Sequence, residues 1–353
     1  MELDLTADVV DLTTAICNME SVSGNEGPLA DAVEAALRER AHLEVTRRGN
    51  VVVARTDLGR TERVVLAGHL DTVPLAATPN LPTRRDGDLL WGRGTVDMKG
   101  GVAVQLRLAA HVPTPNRDVT YIFYDCEEVQ AARNGLQHLA DARPDLVAAD
   151  FAVLLEPTNA QVEAGCKGTL RVRLNARGVA AHSGRPWTGD NAVHRLRPAL
   201  DVLADHEARV VDVDGLTYRE GLSAVGIGGG AGNNVIPDAA YLVVNYRYAP
   251  DLSADQALEQ VRAWFGEYEF EVEDLAAGAR PGLDSPLARE FVAALGVPVG
   301  AKQGWTDVAR FASLGVPAVN FGPGDPLLAH KDDEQVPIAQ LRDVEQALLR
   351  WLA

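Results

Sequence analysis

Cysteines, basic residues and long apolar runs are scarce in this chain, and each scarcity excludes a class of protein. The three cysteines, Cys17, Cys126 and Cys166, show neither paired nor metal-type spacing. Such usage argues against a disulfide scaffold and favours a reducing compartment, so we expect a cytoplasmic protein. Lysine and arginine total 33 against 50 acidic residues, a formal net charge of −17. Because an acidic surface repels nucleic acid and anionic membranes, we expect neither as a partner.

No segment approaches the run of about 20 apolar residues that crosses a bilayer. The N-terminal stretch MELDLTADVVDLTTAICNM lacks the basic region of a signal peptide and is predicted to form a helix instead. With 353 residues, 46% hydrophobic and 24% charged, the chain has the composition of a globular protein and room for two domains.

The pattern of predicted helices and strands changes twice along the chain. Residues 1–168 and 279–353 alternate helical patterns with strands that are apolar throughout, such as RVVLAGH and FAVLL, which predicts a mainly parallel sheet covered on both faces. Residues 169–278 follow the order β-α-β-β-α-β of a ferredoxin-like domain, with GDNAVHRLRPALDVLADHEA as its first helix. We therefore predict an α/β catalytic domain formed by residues 1–168 and 279–353, with residues 169–278 inserted as a second domain.

Residues that can bind a metal follow several predicted strands of the larger domain. The carboxyl ends of parallel strands meet at one edge of a sheet, which is where such folds build their sites. We expect convergence there, and so many acidic groups would repel one another unless cations neutralised them. The candidates are His69, Asp71, Asp97, Glu127, Glu128, Glu156 and His330.

Spacing suggests separate roles for these residues. His69 and Asp71 share a face of an extended chain, so Asp71 can orient the imidazole through its second nitrogen. Glu127 and Glu128 diverge, so one can bind metal while the other acts as a general base. Asp97, in a loop flanked by glycine, could present both oxygens to two metals. Histidine and carboxylate without cysteine suit Zn²⁺, with Co²⁺ or Mn²⁺ as substitutes.

Each of these residues alone has an ordinary structural explanation, and their joint position carries the hypothesis. The motifs AGHLDTVP, WGRGTVDMKGG, CEE, LLEP and HKDDE together resemble the M20 group of di-zinc hydrolases over essentially the whole chain. The resemblance implies one zinc on His69 and Glu156 and a second on Glu128 and His330, bridged by Asp97. It also implies that Glu127 is the general base and that the peptide Asp97–Met98 is cis.

For the inserted domain, the resemblance implies a lid that also forms a homodimer. NNVIP and NYRYAP nominate Asn234 and Arg247 for substrate carboxylates, and Arg185, Thr306 and Arg310 are further candidates. The lid histidine that stabilises the oxyanion is predicted to be His194, with His182 as its competitor.

Two further features bear on the substrate. Trp305 stands where the similar stretch of desuccinylases has a small polar residue, so it bears on selectivity. The glycine-rich GIGGGAGNN lacks the setting of a phosphate-binding loop and is predicted to be a hinge.

Within the family, the motifs and length most resemble the succinyl-diaminopimelate desuccinylases. The resemblance implies hydrolysis of N-succinyl-LL-2,6-diaminopimelate to succinate and LL-diaminopimelate, in lysine and cell-wall biosynthesis. Another amide hydrolase of the family, such as an acetylornithine deacetylase, an aminoacylase or a dipeptidase, is the closer alternative. A non-catalytic metal-binding scaffold is the remote one.

Overall fold

Four mainly apolar strands form the centre of the larger sheet in a computed structural model of the chain, which describes residues 2–78, 80–230 and 232–353. The α-helices are α1 Val9–Cys17, α2 Gly27–Arg38, α3 Lys99–His111, α4 Gly135–Ala142, α5 Pro144–Val147, α6 Arg197–Ala204, α7 Ala254–Phe265, α8 Pro286–Leu295, α9 Val308–Ser313 and α10 Ile338–Leu352. The strands are β1 Glu44–Arg48, β2 Val51–Arg55, β3 Arg63–His69, β4 Arg84–Asp86, β5 Leu89–Trp91, β6 Asp118–Tyr124, β7 Phe151–Leu154, β8 Val162–Ala164, β9 Gly168–Arg177, β10 Ala181–His182, β11 Val210–Val213, β12 Leu216–Arg219, β13 Gly221–Gly229, β14 Val235–Ile236, β15 Ala239–Tyr248, β16 Glu269–Ala276, β17 Val299–Ala301, β18 Ala318–Asn320 and β19 Gln335–Pro337. No helix of the described ranges combines the length and the apolar character that a membrane crossing requires.

The chain divides into two compact units. The first comprises Met1–Ala164, Pro281–Gly300 and Asp307–Ala353, and the second comprises Gly165–Arg280 with Ala301–Thr306. The short segment 301–306 thus belongs with the inserted unit, although the sequence patterns had grouped it with the C-terminal part. Assigning catalysis to the first unit and a lid to the second stays a prediction.

The first unit contains an eight-stranded sheet in the order β1-β2-β6-β3-β7-β18-β8-β17. Its central strands β6, β3, β7 and β18 are parallel and almost wholly buried. Helices cover both faces, so most of their side chains are apolar. The α/β prediction is confirmed. The antiparallel edge pairs β1–β2 and β18–β8 and the small sheet β19-β5-β4 were not predicted, since strands of three to five residues carry little periodicity.

The second unit has a four-stranded antiparallel sheet in the order β13-β15-β9-β16. With α6 after β9 and α7 after β15, this is the predicted β-α-β-β-α-β arrangement. Helix α7 begins with a capping box between Ser253 and Gln256. The predicted helix over residues 189–208 was too long. Only Arg197–Ala204 is α-helical, and Pro198, which lacks an N–H to donate, occupies its first turn.

Candidate active site

The first unit brings its seven candidate residues to the carboxyl edge of the parallel strands. His69 is the last residue of β3, Glu127 and Glu128 follow the end of β6 at Tyr124, and Glu156 follows the end of β7. These three strands are parallel neighbours in the sheet, so their ends lie side by side.

The loop between β5 and α3 supplies Asp97. Gly94 has φ +83°, and a Cβ at that position would lie 3.0 Å from the Thr72 side chain and 3.1 Å from Lys99. The left-handed backbone and the close approach together require glycine here. The Asp97–Met98 peptide is cis, as the family resemblance implied. Asp97 therefore enters the site from a loop whose backbone path depends on its glycines.

The carboxylate of Asp97 lies between two histidines. Its Oδ1 is 3.2 Å from Nε2 of His69 and its Oδ2 is 3.3 Å from Nε2 of His330. Glu156 Oε1 lies 3.9 Å from the same nitrogen of His69, and Glu128 Oε1 lies 3.0 Å from that of His330. The five side chains thus form two groups of one histidine and one glutamate, each facing a different oxygen of Asp97.

The carboxylates of this cluster favour positive charge on or between its two histidines. Burial alone would lower the pKa of His69, but Asp71, Asp97 and Glu156 raise it well above its ordinary value. Hydrogen bonds to Asp97 and Glu128 raise the pKa of His330 to about 10. Without other cations the carboxylates draw protons onto both histidines. Metal ions would supply that charge instead, with the histidines neutral and ligating.

Glu127 is a half-buried carboxylate of the cluster whose pKa is shifted upwards. Desolvation, followed by the negative charges of Asp307, Glu128 and Glu156, raises its pKa well above the ordinary glutamate value, although His69 opposes the shift. A carboxyl with a raised pKa can accept and return a proton near neutral pH.

Asp71 has more partners than the spacing of His69 and Asp71 indicated. Nδ1 of His69 lies 3.0 Å from the backbone oxygen of Asp71 and 3.4 Å from its Oδ1. The Asp71 carboxylate also accepts hydrogen bonds from the backbone N–H groups of Glu127 and Glu128, both at 3.1 Å, and from the Ser23 hydroxyl at 2.7 Å. Asp71 therefore fixes the turn that carries the glutamate pair as well as the histidine. The Ser23 contact leaves no sequence signal.

In the second unit, His182, Arg185 and Asn234 lie on one short ribbon. Strands β10 and β14 pair His182 with Val235, the backbone N–H of Ser183 donates to the carbonyl of Asn234 at 2.9 Å, and that of Arg185 donates to the carbonyl of His182 at 2.8 Å. His182 is exposed, and its Nδ1 accepts a hydrogen bond from the Gly184 N–H.

His194, the histidine favoured by the sequence patterns, is not part of this ribbon. It begins a single 3₁₀ turn, His194–Leu196, and lines a cavity together with Arg177, Arg195 and Tyr268. The Asn191 side chain accepts a hydrogen bond from the Val193 N–H at 2.9 Å just before that turn. His194 therefore precedes α6, which begins at Arg197, instead of lying on a longer helix. Geometry within the second unit therefore groups two of the carboxylate candidates, Asn234 and Arg185, with His182.

The remaining substrate candidates have diverse surroundings. Arg247, on β15, is exposed, and its Nε donates to Asn245 at 3.0 Å. Thr306 is buried, and the indole of the neighbouring Trp305 donates to a backbone oxygen at 3.1 Å. The Arg310 guanidinium contacts the buried Asp307 and donates to Gln137 at 2.6 Å. Those contacts anchor α9 in the first unit, and a substrate role for Arg310 stays a prediction.

A model of the peptidase family M20/M25/M40 matches residues 65–353, a range that includes every candidate ligand described above. The chain belongs to this family. The M20 match agrees with the motifs around His69, Asp97, Glu128, Glu156 and His330.

Two curated relatives of this M20 chain match over nearly the full length. The putative succinyl-diaminopimelate desuccinylase DapE of Mycobacterium tuberculosis is 54% identical over 353 residues, covering 99% of each chain. The succinyl-diaminopimelate desuccinylase of Corynebacterium glutamicum is 46% identical over 362 residues, covering 99% of this chain and 98% of that protein.

A solved M20 structure agrees in fold. The M20 family metallo-carboxypeptidase Sso-CP2 from Sulfolobus solfataricus superposes with a TM-score of 0.82 over 98% of both chains at 16% identity. The membership, together with the cluster of histidines and carboxylates, identifies the chain as a metal-dependent hydrolase.

Proposed function

We propose that this M20 hydrolase cleaves N-succinyl-LL-2,6-diaminopimelate to succinate and LL-diaminopimelate, in lysine and cell-wall biosynthesis. The observation that carries the proposal is the near-complete coverage of the chain by desuccinylases at 54% and 46% identity. A carboxypeptidase reading has weaker support, since the curated probable carboxypeptidase of Paracoccidioides lutzii is 28% identical.

The donor set fits two metal ions in each subunit, and we assign them as Zn²⁺ with Co²⁺ as a substitute. His69 and Glu156 would hold one ion, Glu128 and His330 the other, and Asp97 would bridge them, because its two oxygens face different histidines at 3.2 and 3.3 Å. Nitrogen and carboxylate donors without sulfur suit these metals. When bound, such ions polarise a carbonyl and make water acidic enough to react near neutral pH.

Glu127 is the general base of the proposed reaction. Its carboxylate takes a proton from the attacking water, and the water oxygen bonds to the carbonyl carbon of the succinyl amide. The protonated Glu127 then gives that proton to the departing amine nitrogen as the carbon–nitrogen bond breaks. Its raised pKa suits both steps.

The substrate carries several carboxylates, so its binding residues should be cationic or hydrogen-bond donors. Asn234, Arg247 and Arg185 are the proposed carboxylate contacts, with Thr306 and Arg310 as further candidates. The ribbon that joins Asn234 to His182 favours His182 over His194 as the histidine that stabilises the oxyanion.

A Glu127→Gln variant tests the mechanism. We expect turnover to fall by about 100- to 10,000-fold, because Gln cannot accept the proton, while both metals stay bound. Glu128→Gln is the matched comparison, since it should lose metal as well as rate. Metal analysis by mass spectrometry and turnover of the succinyl substrate measure both, and full activity of Glu127→Gln contradicts the assignment.

A panel of acylated amino acids tests the substrate. Succinyl-diaminopimelate should give the highest kcat/KM, well above acetylornithine, other N-acyl amino acids and dipeptides. Preference for any of these would replace the proposed substrate while keeping the M20 chemistry. No turnover of any member, with metal bound, would favour a non-catalytic scaffold.

We further propose a cytoplasmic homodimer formed through the second unit. Edge strand β13 exposes Val225 and Ile227, whose side chains are 59% and 58% exposed, and exposed apolar edge strands favour pairing with another chain. The opposite edge, β16, instead carries Glu271, Glu273 and Asp274, and such charges discourage edge pairing.

A further inference from the structure

A buried ion pair outside the proposed ligand set connects the two chain segments that supply Asp97 and His330. Arg93 and Glu334 are 3% and 1% exposed, and Nη1 of Arg93 lies 2.8 Å from Oε2 of Glu334. Arg93 lies at the start of the loop that leads to Asp97, and Glu334 lies four residues after His330.

Glu334 holds the Asp97 loop through its other oxygen. Oε1 accepts hydrogen bonds from the backbone N–H groups of Val96 at 3.0 Å and Asp97 at 3.2 Å. The backbone carbonyl of Glu334 also accepts from Gly92 at 3.0 Å. A single glutamate therefore fixes both ends of the loop that presents Asp97.

Arg93 holds the His330 segment. Its Nη1 donates to the backbone carbonyl of Lys331 at 3.1 Å as well as to Glu334. His330 itself has φ +67°, a left-handed conformation that is costly for a residue with a side chain. The hydrogen bond at the next residue helps to keep that conformation.

We propose that the Arg93–Glu334 pair positions Asp97 and His330 relative to each other and thereby sets the affinity for the metal ion held by Glu128 and His330. The two side chains cancel each other's charge, so the pair adds no net charge beside the metal centre. This inference rests on the two-metal site of the proposed function.

The effect should be larger for the ion held by Glu128 and His330, because the pair holds the segments of two of its ligands, Asp97 and His330, but of the other ion's ligands only Asp97. The ion held by His69 and Glu156 depends on the pair only through the bridging Asp97, so we expect it to be weakened less. Outer-shell partners of metal ligands are worth about 10- to 100-fold in metal affinity. We expect a loss of that size for the second ion.

The test measures zinc affinity and stoichiometry in Glu334→Gln by chelator competition and mass spectrometry. Gln cannot neutralise Arg93, so the second ion should bind about 10- to 100-fold more weakly and the content after dialysis should fall from two ions towards one. Arg93→Lys keeps the charge but lacks the guanidinium whose Nη1 donates to both Glu334 and Lys331, so it should show the same loss in a milder form.

A Glu345→Gln variant is the matched control. Glu345 is also a buried carboxylate, 5% exposed, and its Oε1 lies 2.6 Å from Nε of Arg107 in a pair that joins α10 to α3. It should lose stability in the metal-free state as Glu334→Gln does, yet bind both ions as the wild type does. A merely structural role for Arg93–Glu334 predicts no difference between the two variants.

The outcomes separate the inference from the function on which it rests. If the wild type, Glu334→Gln and Arg93→Lys all bind two ions tightly, the inference is overturned and the proposed function stays intact. A wild type that binds fewer than two ions would overturn the two-metal site and the inference with it. Equal weakening of both ions in Glu334→Gln would also contradict the inference, because the inference predicts the larger loss for the ion held by Glu128 and His330.

Discussion

Both carboxylate oxygens of Asp71 accept hydrogen bonds, and replacing Asp71 by Asn removes one of these acceptors. Oδ1 accepts the Glu127 N–H at 3.1 Å, and Oδ2 accepts the Glu128 N–H at 3.1 Å and the Ser23 hydroxyl at 2.7 Å. Whichever way the amide is turned, its NH₂ group faces a backbone N–H of the glutamate pair. The side chain is fully buried, so water cannot relieve the mismatch.

The expected cost follows from that mismatch. A buried donor left without an acceptor costs about 1–3 kcal/mol, and we expect the free energy of unfolding to fall by about that amount. If the same displacement affects Glu127 in the transition state, kcat falls by about 5- to 150-fold, at 1.36 kcal/mol for each factor of ten. The metal content should be nearly unchanged, since Asp71 is not one of the proposed ligands.

Denaturant unfolding, metal analysis and steady-state kinetics measure these three quantities. Ser23→Ala is the control, because it removes only the hydroxyl and leaves both oxygens for the backbone; its losses should be smaller in both stability and rate. Wild-type rate and stability in Asp71→Asn would refute the reasoning. Loss of metal as complete as in His69→Ala would show instead that Asp71 is a ligand.

Three further predictions concern other parts of the chain. Asp118 accepts hydrogen bonds from the backbone N–H groups of Leu58 and Arg60 and from Thr56, and these outweigh burial and lower its pKa below the ordinary 3.8. Asp118→Asn should therefore cost about 2 kcal/mol of unfolding free energy at neutral pH, and the deficit relative to wild type should shrink as the pH falls below about 4; a deficit independent of pH would contradict this. Ile227→Lys places a charge on the exposed face of β13 and should give monomers in sedimentation velocity. Val272→Lys, on the opposite edge strand β16, should leave the dimer intact. His182→Ala should lower kcat more than His194→Ala, and the reverse order would restore the original preference for His194.

The sequence was most informative where chemistry follows a long apolar strand. RVVLAGH and FAVLL are buried throughout, so their parallel pairing and the convergence of His69 with Glu156 follow from hydrophobic pattern and topology alone. Asp97 and His330 lie on loops and have no periodicity of their own; their position after predicted strands or before a helix made them candidates, and the family resemblance gave them their places in the ligand set.

Contacts between a side chain and a distant backbone were beyond the sequence. The bonds from Asp71 to the amides of Glu127 and Glu128, and from Glu334 to the Asp97 loop, depend on how separate loops meet in space. Strands β10 and β14 have two residues each, too few for alternation to show. The grouping of His182 with Asn234 was therefore not predictable. The composition around His194 instead predicted a helix longer than the one observed.

The order of the ligands along the chain has a consequence for how the protein matures. Synthesis proceeds from the N-terminus, so His69, Asp97, Glu128 and Glu156 leave the ribosome before the inserted unit Gly165–Arg280, and His330 emerges after it. A nascent chain thus carries every residue proposed for the first ion long before the second ion's site is complete. The second ion is therefore expected to bind only after His330 has been synthesised.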